Sequence, residues 1–511
     1  MKKYIVLSCA LCISLMGMAQ GEYDAFKYSQ TELLGSARYV SMAGAFGALG
    51  GDMSAISLNP AGIGVYRSSE LSLTPVVGLS ATTSDFNGTE TSDAIMNIRI
   101  NNFGYVGTIR PSNSTINNIN FGISYNKVKD FNRTTYIKGY DRSVSLLDVI
   151  CSNTGTTEPS DLTNLGYLAY ETYLINRNDN DGSYYNELRD GETVNNEFFM
   201  QEEGSIGVWD FTLGANMGHF LYAGLSIGLM GIDYRMVSSY YEYTEAFQEG
   251  TVTYDPFDYE LRNAISTQGN GVNLKIGAII RPVSFIRLGV ALHSPTYYSL
   301  TDTYGSSMFS NGLYDQETGE YASSEIIDED SYDYELITPG KIVGSAAIMF
   351  GKKGILSIDC EVVDYRGISL KSTSGFPYDD ANSDIDDHMQ NTLNLRGGGE
   401  YRVTDNISLR AGIAFYGSAY KNNMTADNTY IETVGTTPYY AFDLGTTYLT
   451  GGIGYRTGSF FLDAALVNQS SIENFYNFYD SDVTNATRTD NAYATVNNNK
   501  INAVVSTGFR F

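Results

Sequence analysis

Hydrophobic and polar residues alternate along most of this chain. From Leu221, the apolar Leu221, Ala223, Leu225, Ile227 and Leu229 interleave with Tyr222, Gly224, Ser226 and Gly228, the period of two that sends successive side chains to opposite faces of a strand. The period recurs at Val272, Leu274, Ile276, Ala278 and Ile280 against Asn273, Lys275 and Arg281, and at Ile286, Leu288, Val290 and Leu292 against Arg287 and His293. It recurs again at Leu356, Ile358, Cys360 and Val362 against Ser357, Asp359 and Glu361. About fourteen such segments are predicted, an even number as single-chain bacterial barrels require. They span residues 71–81, 98–110, 118–130, 204–217, 220–240, 267–281, 285–300, 339–350, 354–370, 391–403, 406–420, 444–456, 459–471 and 494–511.

The connections alternate between tight and long. Gly351-Lys352-Lys353-Gly354, Thr404-Asp405-Asn406, Arg456-Thr457-Gly458 and the Arg281-Pro282 corner carry turn chemistry. Residues 132–203, 241–266, 301–338, 371–390, 421–443 and 472–491 are long. The fold class is therefore all-β: a transmembrane antiparallel β-barrel of about fourteen strands, with short turns in the periplasm, long extracellular loops and both termini periplasmic. A soluble sandwich would also alternate, but with shorter strands and its polar face outside.

Residues 1–19 read as a secretory signal peptide: Lys2 and Lys3, an apolar run from Tyr4 to Met16, then Gly17 and Ala19 before a cleavage site. Residues 20–70 form an N-terminal hatch segment and 71–511 the barrel. Cys9 and Cys12 fall in the leader, and the remaining Cys151 and Cys360 give no zinc or redox spacing. The chain holds 41 Tyr, 24 Phe and 52 Gly but 1 Trp, with a net charge of -26. Such a composition suits the aromatic girdles and solvated loops of a Gram-negative outer-membrane barrel surrounded by lipid and lipopolysaccharide, and it excludes nucleic acid, which needs a basic face. No apolar run long enough for a helical span follows the leader. In the last segment Ile501, Ala503, Val505, Thr507, Phe509 and Phe511 share one face, a signal like that by which the barrel assembly machinery recognises outer-membrane proteins.

The stretch from Gly35 to Glu70 fits none of this. It is too glycine-rich for a soluble helix, with too little alternation for a strand, and reads as a plug filling the lumen. Residues 31–42 are predicted to form a helix with Leu33, Leu34, Ala37 and Val40 on one side. In the turn that follows, Pro60 fixes its own φ and restricts Asn59, while Gly62 permits a reversal. The run Gly51 to Gly64, GDMSAISLNPAGIG, resembles the hatch of the FadL/TodX-type outer-membrane transport proteins. The match is sharp at Asn59, Pro60, Ala61 and Gly62 and supported by Asp52, Ser54 and Ala55. The resemblance implies a fourteen-stranded barrel blocked by a hatch, taking up long-chain fatty acids or aromatic hydrocarbons by hatch-gated passive diffusion with a sideways exit through a gap in the wall. It makes Asp52, Asn59, Pro60, Ala61 and Gly62 the candidate gate.

Alternation places Lys275, Arg287, Asp359, Glu361, Arg396, Glu400 and Arg410 toward the lumen. Two readings stand: an ion-pair network that anchors the plug, or cations that meet the acidic head of an amphipathic cargo. Acidic clusters at Asp328, Glu329, Asp330, Asp333 and Glu335, and at Asp379, Asp380, Asp384, Asp386 and Asp387, lack the spacing of a calcium loop and read as solvated loops. Residues 161–176 are predicted as a loop helix with Leu162, Leu165, Leu168, Ala169 and Tyr173 on its apolar face.

Other signals are discounted. Gly224 to Gly228 matches a nucleophile elbow but runs through a strand, and Gly44 to Gly51 lacks the flanking strand of a dinucleotide loop. His219, His293 and His388 read as unpaired surface or lumen residues, with no metal or cofactor implied. The function expected is uptake of hydrophobic or amphipathic small molecules. The alternative is a structural or adhesive surface barrel whose long tyrosine-rich loops bind partners. An enzyme would need a nucleophile, base and orienter that the chain does not offer.

Overall fold

The computed structural model describes residues 21–511 apart from 112–114, 190, 315–320, 328–330, 423, 425–430, 432 and 480–492. The leader, and Asp328, Glu329 and Asp330 of the first acidic cluster, lie outside the described residues.

Fourteen strands close into one antiparallel barrel. They are β1 (Glu70–Phe86), β2 (Thr89–Ile109), β3 (Ile116–Asp130), β4 (Val194–Met217), β5 (Leu221–Thr244) and β6 (Asp258–Val283). Next come β7 (Ile286–His293, resumed at Tyr297–Tyr314), β8 (Tyr332–Ile337, then Lys341–Phe350) and β9 (Gly354–Asp364, then Ser369–Ser372). The last five are β10 (Asn391–Arg402), β11 (Ile407–Tyr416), β12 (Tyr440–Thr457), β13 (Phe460–Tyr476) and β14 (Ala494–Arg510). Neighbours in sequence are neighbours in the wall, and β14 closes on β1 from Glu70↔Arg510 to Asp85↔Thr495. Leu225, Ile227 and Leu229 face outward and are exposed, whereas Ser226, one position over, is fully buried. The wall is thus greasy outside and polar inside, as spanning strands must be.

β4, β5 and β6 hold 24, 24 and 26 residues, more than twice what a membrane crossing needs. Their surplus rises above the apolar belt on the loop side, where a further strand, Arg133–Arg142, pairs with the upper part of β4. Inside this raised rim lies a large core of buried aromatics, including Phe198, Tyr234, Tyr240, Tyr259, Tyr334 and Tyr440.

Several expected boundaries moved, each for a local reason. β1 and β2 extend to a two-residue turn at Asn87-Gly88, both with positive φ, so the first loop-side connection is tight. Residues 82–85 and 89–93 carry no apolar side chain, which hid this. The Arg281-Pro282 corner is part of β6, with a register irregularity there, and the chain turns at Ser284-Phe285. The segment expected over 285–300 breaks at Pro295, and that over 354–370 ends at Asp364. In the loops, helices run at Leu146–Thr154, Asn164–Glu171 and Asp379–His388. The expected 161–176 helix shrinks to the second of these, Tyr173 having a φ of 58°.

The N-terminal prediction also needs correction. Helix α1 (Glu22–Ser29) precedes α2 (Ala37–Ser41), in place of one helix over 31–42. Gly35, at φ 146°, interrupts the chain, and Ser36 starts α2 by accepting from the Tyr39 amide. α1 was missed because Glu22, Asp24 and Lys27 look like a solvated stretch; in the fold Glu22 and Asp24 are buried. Gly21 begins in the loop-side half of the barrel, not at the tight-turn mouth, with Glu22 bonded to His388 at 2.8 Å.

Candidate functional site

From α1 the chain descends and makes a circuit of the lumen against the strand order. Ser41 meets β12 and β13 at Gly452, Met42 meets β10 and β11 at Gly398 and Gly412, Gly47 meets β7 at Gly289, and Asn59 and Pro60 meet β6 and β5 at Gly277 and Gly224. Ile63 then meets β4 and β3 at Gly214 and Gly122, and Ser69 exchanges backbone bonds with Phe511 at 3.0 Å as β1 begins. The wall glycines are the reason it fits: a Cβ on Gly412 would come within 2.5 Å of the Met42 carbonyl carbon, and one on Gly452 within 2.6 Å of Ser41. These are seats for backbone rather than sites of unusual φ.

The proposed gate residues hold this circuit's shape. Asp52 caps α3 (Met53–Leu58), accepting from the Ser54 amide at 3.0 Å and from the Ser36 hydroxyl at 2.7 Å. Asn59 ends α3 and starts the 3-10 turn Pro60–Val65. Its Oδ1 accepts from the Ala61 amide at 3.0 Å, and its Nδ2 donates to the Gly47 carbonyl at 2.7 Å. Pro60 at the first position of that turn supplies a fixed φ where no N–H is needed. Ala61 is fully buried, and Gly62 lies against Gly50, whose amide neighbour Gly51 donates to the Gly62 carbonyl at 3.1 Å.

The lumen charges pair with one another and with the inner segment. Lys275 bonds Asp210 at 2.7 Å, Arg396 bonds Glu361 at 2.7 Å, and Arg410 bonds Glu400 at 2.7 Å and Asp463 at 2.6 Å. Glu400 also accepts from Arg38 of α2 at 3.1 Å, Asp359 from the Gly47 amide at 2.9 Å, and the Leu49 carbonyl from Arg287 at 2.7 Å. Buried pairs of this kind tolerate the loss of neither partner. The three histidines expected to be unpaired all have partners: His219 Nδ1 lies 3.3 Å from Asn216 Nδ2, His293 faces the Leu58 carbonyl at 2.9 Å, and His388 holds Glu22.

Alternation, the rule that found Lys275 and Arg410, would equally have found Asp210 and Asp463. Glu32 and Lys341 left no such signal, since the first lies in the irregular inner segment and the second beside a break in β8.

Two spaces lie between the inner segment and the wall, both lined by Gln30, Thr31 and Glu32. One has about 1070 Å³ of empty volume open to solvent and is bordered by Tyr23, Phe26, Lys129, Arg133 and Glu473. The other, about 960 Å³, is bordered by Lys127, Met230, Lys275, Lys341 and Arg396. Arg396 Nη1 is buried with no partner among the described residues, and Lys341 Nζ donates to the Thr31 hydroxyl at 2.8 Å. Among the described residues no group of three or more His, Cys, Asp or Glu is placed to hold a metal.

The wall beside the second space is not a complete ladder. β2 pairs with β3 only from Ile109↔Ile119 to Asn102↔Asn126. Above that, residues 89–101 of β2 have ladder bonds to β1 alone. β3 carries an extra residue, Val128, between the partners of Gly207 and Ile206. Its carbonyl accepts from the Glu32 amide at 2.8 Å, which ties the bulge to the inner segment just above the last β2–β3 pair. Side chains span the split, Arg99 bonding Asp130 at 3.2 Å, and outside it Met96 and Ile98 are 68% and 77% exposed.

A fourteen-stranded transmembrane barrel of outer-membrane type, stoppered from within, is the class these observations define. Its fold is that of a Pseudomonas aeruginosa FadL homologue, with a TM-score of 0.52 and 14% identity over 94% of this chain and 99% of that one. The toluene transporter TodX of P. putida is similar at a TM-score of 0.51 and 12% identity, over 94% and 99% of the two chains. No protein-family model and no curated protein sequence matches the chain.

Proposed function

We propose that this chain is a passive outer-membrane channel for hydrophobic or amphipathic small molecules, with the inner segment as its hatch. The observation that carries this is the pairing of a lumen filled by the buried inner segment with a β2–β3 ladder that stops at Asn102↔Asn126. A solute that reaches the space beside Lys275 and Arg396 meets Ser54, Ser57 and Leu58 of the inner segment, next to the Asn59 turn. A route out where the ladder stops suits only a molecule that dissolves in lipid. The fold shared with a FadL homologue and a toluene transporter supports the same reading.

Within that class the lining favours an amphipathic acid over a neutral hydrocarbon. Arg396 has an unused N–H, and Lys341 and Lys127 stand on the same space. A carboxylate there would gain charge-assisted hydrogen bonds that a hydrocarbon cannot make. Mass spectrometry of compounds that co-purify with the detergent-extracted protein tests this: a reproducible single-chain acid is expected, and a protein that retains no apolar compound and takes none up refutes the reading.

A further inference from the structure

Across the same space from the β2–β3 split, the wall is interrupted a second time. β7 breaks at Ser294-Pro295-Thr296, β8 at Thr338-Pro339-Gly340, and β9 at Tyr365–Gly367. The β7–β8 register is the same on both sides of the break, His293↔Lys341 below and Tyr297↔Ile337 above, which puts Pro295 opposite Pro339. Neither proline has an N–H to give, and proline in the middle of a sheet is otherwise avoided. One backbone rung still bridges β7 and β8 here, from the Thr338 amide to the Thr296 carbonyl at 3.0 Å, and one bridges β6 and β7, from the Ser294 amide to the Leu274 carbonyl at 2.9 Å; hydroxyls supply the return bonds, the Thr296 amide donating to Thr338 at 3.2 Å and the Leu274 amide to Ser294 at 2.9 Å. Parting the strands here would leave one backbone rung to be satisfied, fewer than in an unbroken ladder, while the hydroxyls can follow the backbone.

The height of the break matters. Leu292 and Ile342, just below it, are exposed aliphatics, while above Tyr297 the outward positions Ser299 and Thr301 are polar. The break therefore sits at the rim of the apolar belt. Ser294, Thr296, Thr338 and Pro339 border the space that also reaches Lys127 on β3, and Lys341 is the first residue of β8 below the break.

We propose that the Pro295–Pro339 break is a second lateral portal, through which an anionic single-chain amphiphile exchanges between the bilayer rim and this space, its head passing to Lys341. This rests on the uptake reading above.

The test uses the full chain with Cys151→Ser and Cys360→Ala, carrying Pro295→Cys and Pro339→Cys, in liposomes. The probe is a diazirine-bearing dodecanoate dissolved in the bilayer, photoactivated at timed intervals, with adducts on the Lys127 and Arg396 peptides quantified by mass spectrometry. Oxidation to the disulfide is expected to slow the appearance of these adducts at least threefold, with reductant restoring the rate, while probe supplied from water is unaffected. Equal rates in the oxidised and reduced forms overturn the portal. An equal fall for both routes of supply overturns it in favour of a structural hinge. Absence of these adducts in every form overturns the uptake reading and the portal together.

Discussion

Replacing Gly277 with alanine should unseat the hatch. A Cβ at that position would overlap Asn59 Oδ1, so Asn59 must rotate away or the turn must lift. Rotation forfeits the bonds to the Ala61 amide and the Gly47 carbonyl, at 3.0 and 2.7 Å, worth about 1 kcal/mol each. The remaining crowding adds on the order of 1 kcal/mol. A total near 3 kcal/mol corresponds to about a hundredfold rise in the unseated population. Planar-bilayer conductance, together with hydrogen exchange over residues 59–66, reads that population directly. Gly344→Ala and Gly397→Ala are the controls, because a Cβ at either meets nothing within 4 Å. If Gly277→Ala conducts and exchanges like Gly344→Ala at equal surface level, the seating argument fails. Pro60→Ala with Gly62→Ala should loosen the same turn from the other side.

Other outcomes follow from the pairings. Arg410→Ala strands the buried Asp463, and should lower stability by about 3–5 kcal/mol, seen as a lower temperature for the heat-dependent mobility shift. His388 gains a proton more readily than an ordinary histidine: burial pulls its pKa down, but Glu22, with Asp384 and Asp387, raises it above 6.5. That pairing stabilises fully below pH 6.5 and is lost as pH rises through the raised value. Exchange over residues 22–29, corrected for intrinsic rate, should therefore quicken from pH 5.5 to pH 9, and His388→Ala should abolish the difference. Deleting Phe511, whose backbone bonds Ser69 at 3.0 Å in both directions, should slow assembly into the heat-modifiable form; insertion at the normal rate would contradict this.

Alternation revealed the strand number because one wall must face lipid and the other the lumen, so each strand declares its two sides. It also placed Lys275, Arg396 and Arg410 inward, since a charge between two outward aliphatics has nowhere else to go. What it could not show was where a ladder stops. The split above Asn102 and Asn126 lies beside one surplus residue, Val128, in a segment that alternates like any other. The wall glycines were equally silent: Gly224 and Gly277 look like ordinary small lumen positions until Pro60 and Asn59 are seen against them. The inner segment gave its turn through Asn59, Pro60 and Gly62, whose backbone effects are local. Its circuit is set by contacts hundreds of residues away and left no local trace.

In the proposed route cargo leaves sideways between β2 and β3, and deletion of Val128 probes that step. Removing the surplus residue regularises β3 opposite Gly207 and Ile206 and lets it zip onto β2. With Pro295→Cys and Pro339→Cys oxidised to shut the second portal, and with normal surface level and heat-modifiability, uptake of a labelled long-chain fatty acid by the deletion variant should fall close to that of cells lacking the protein. Uptake at the full rate through the repaired wall would contradict the account.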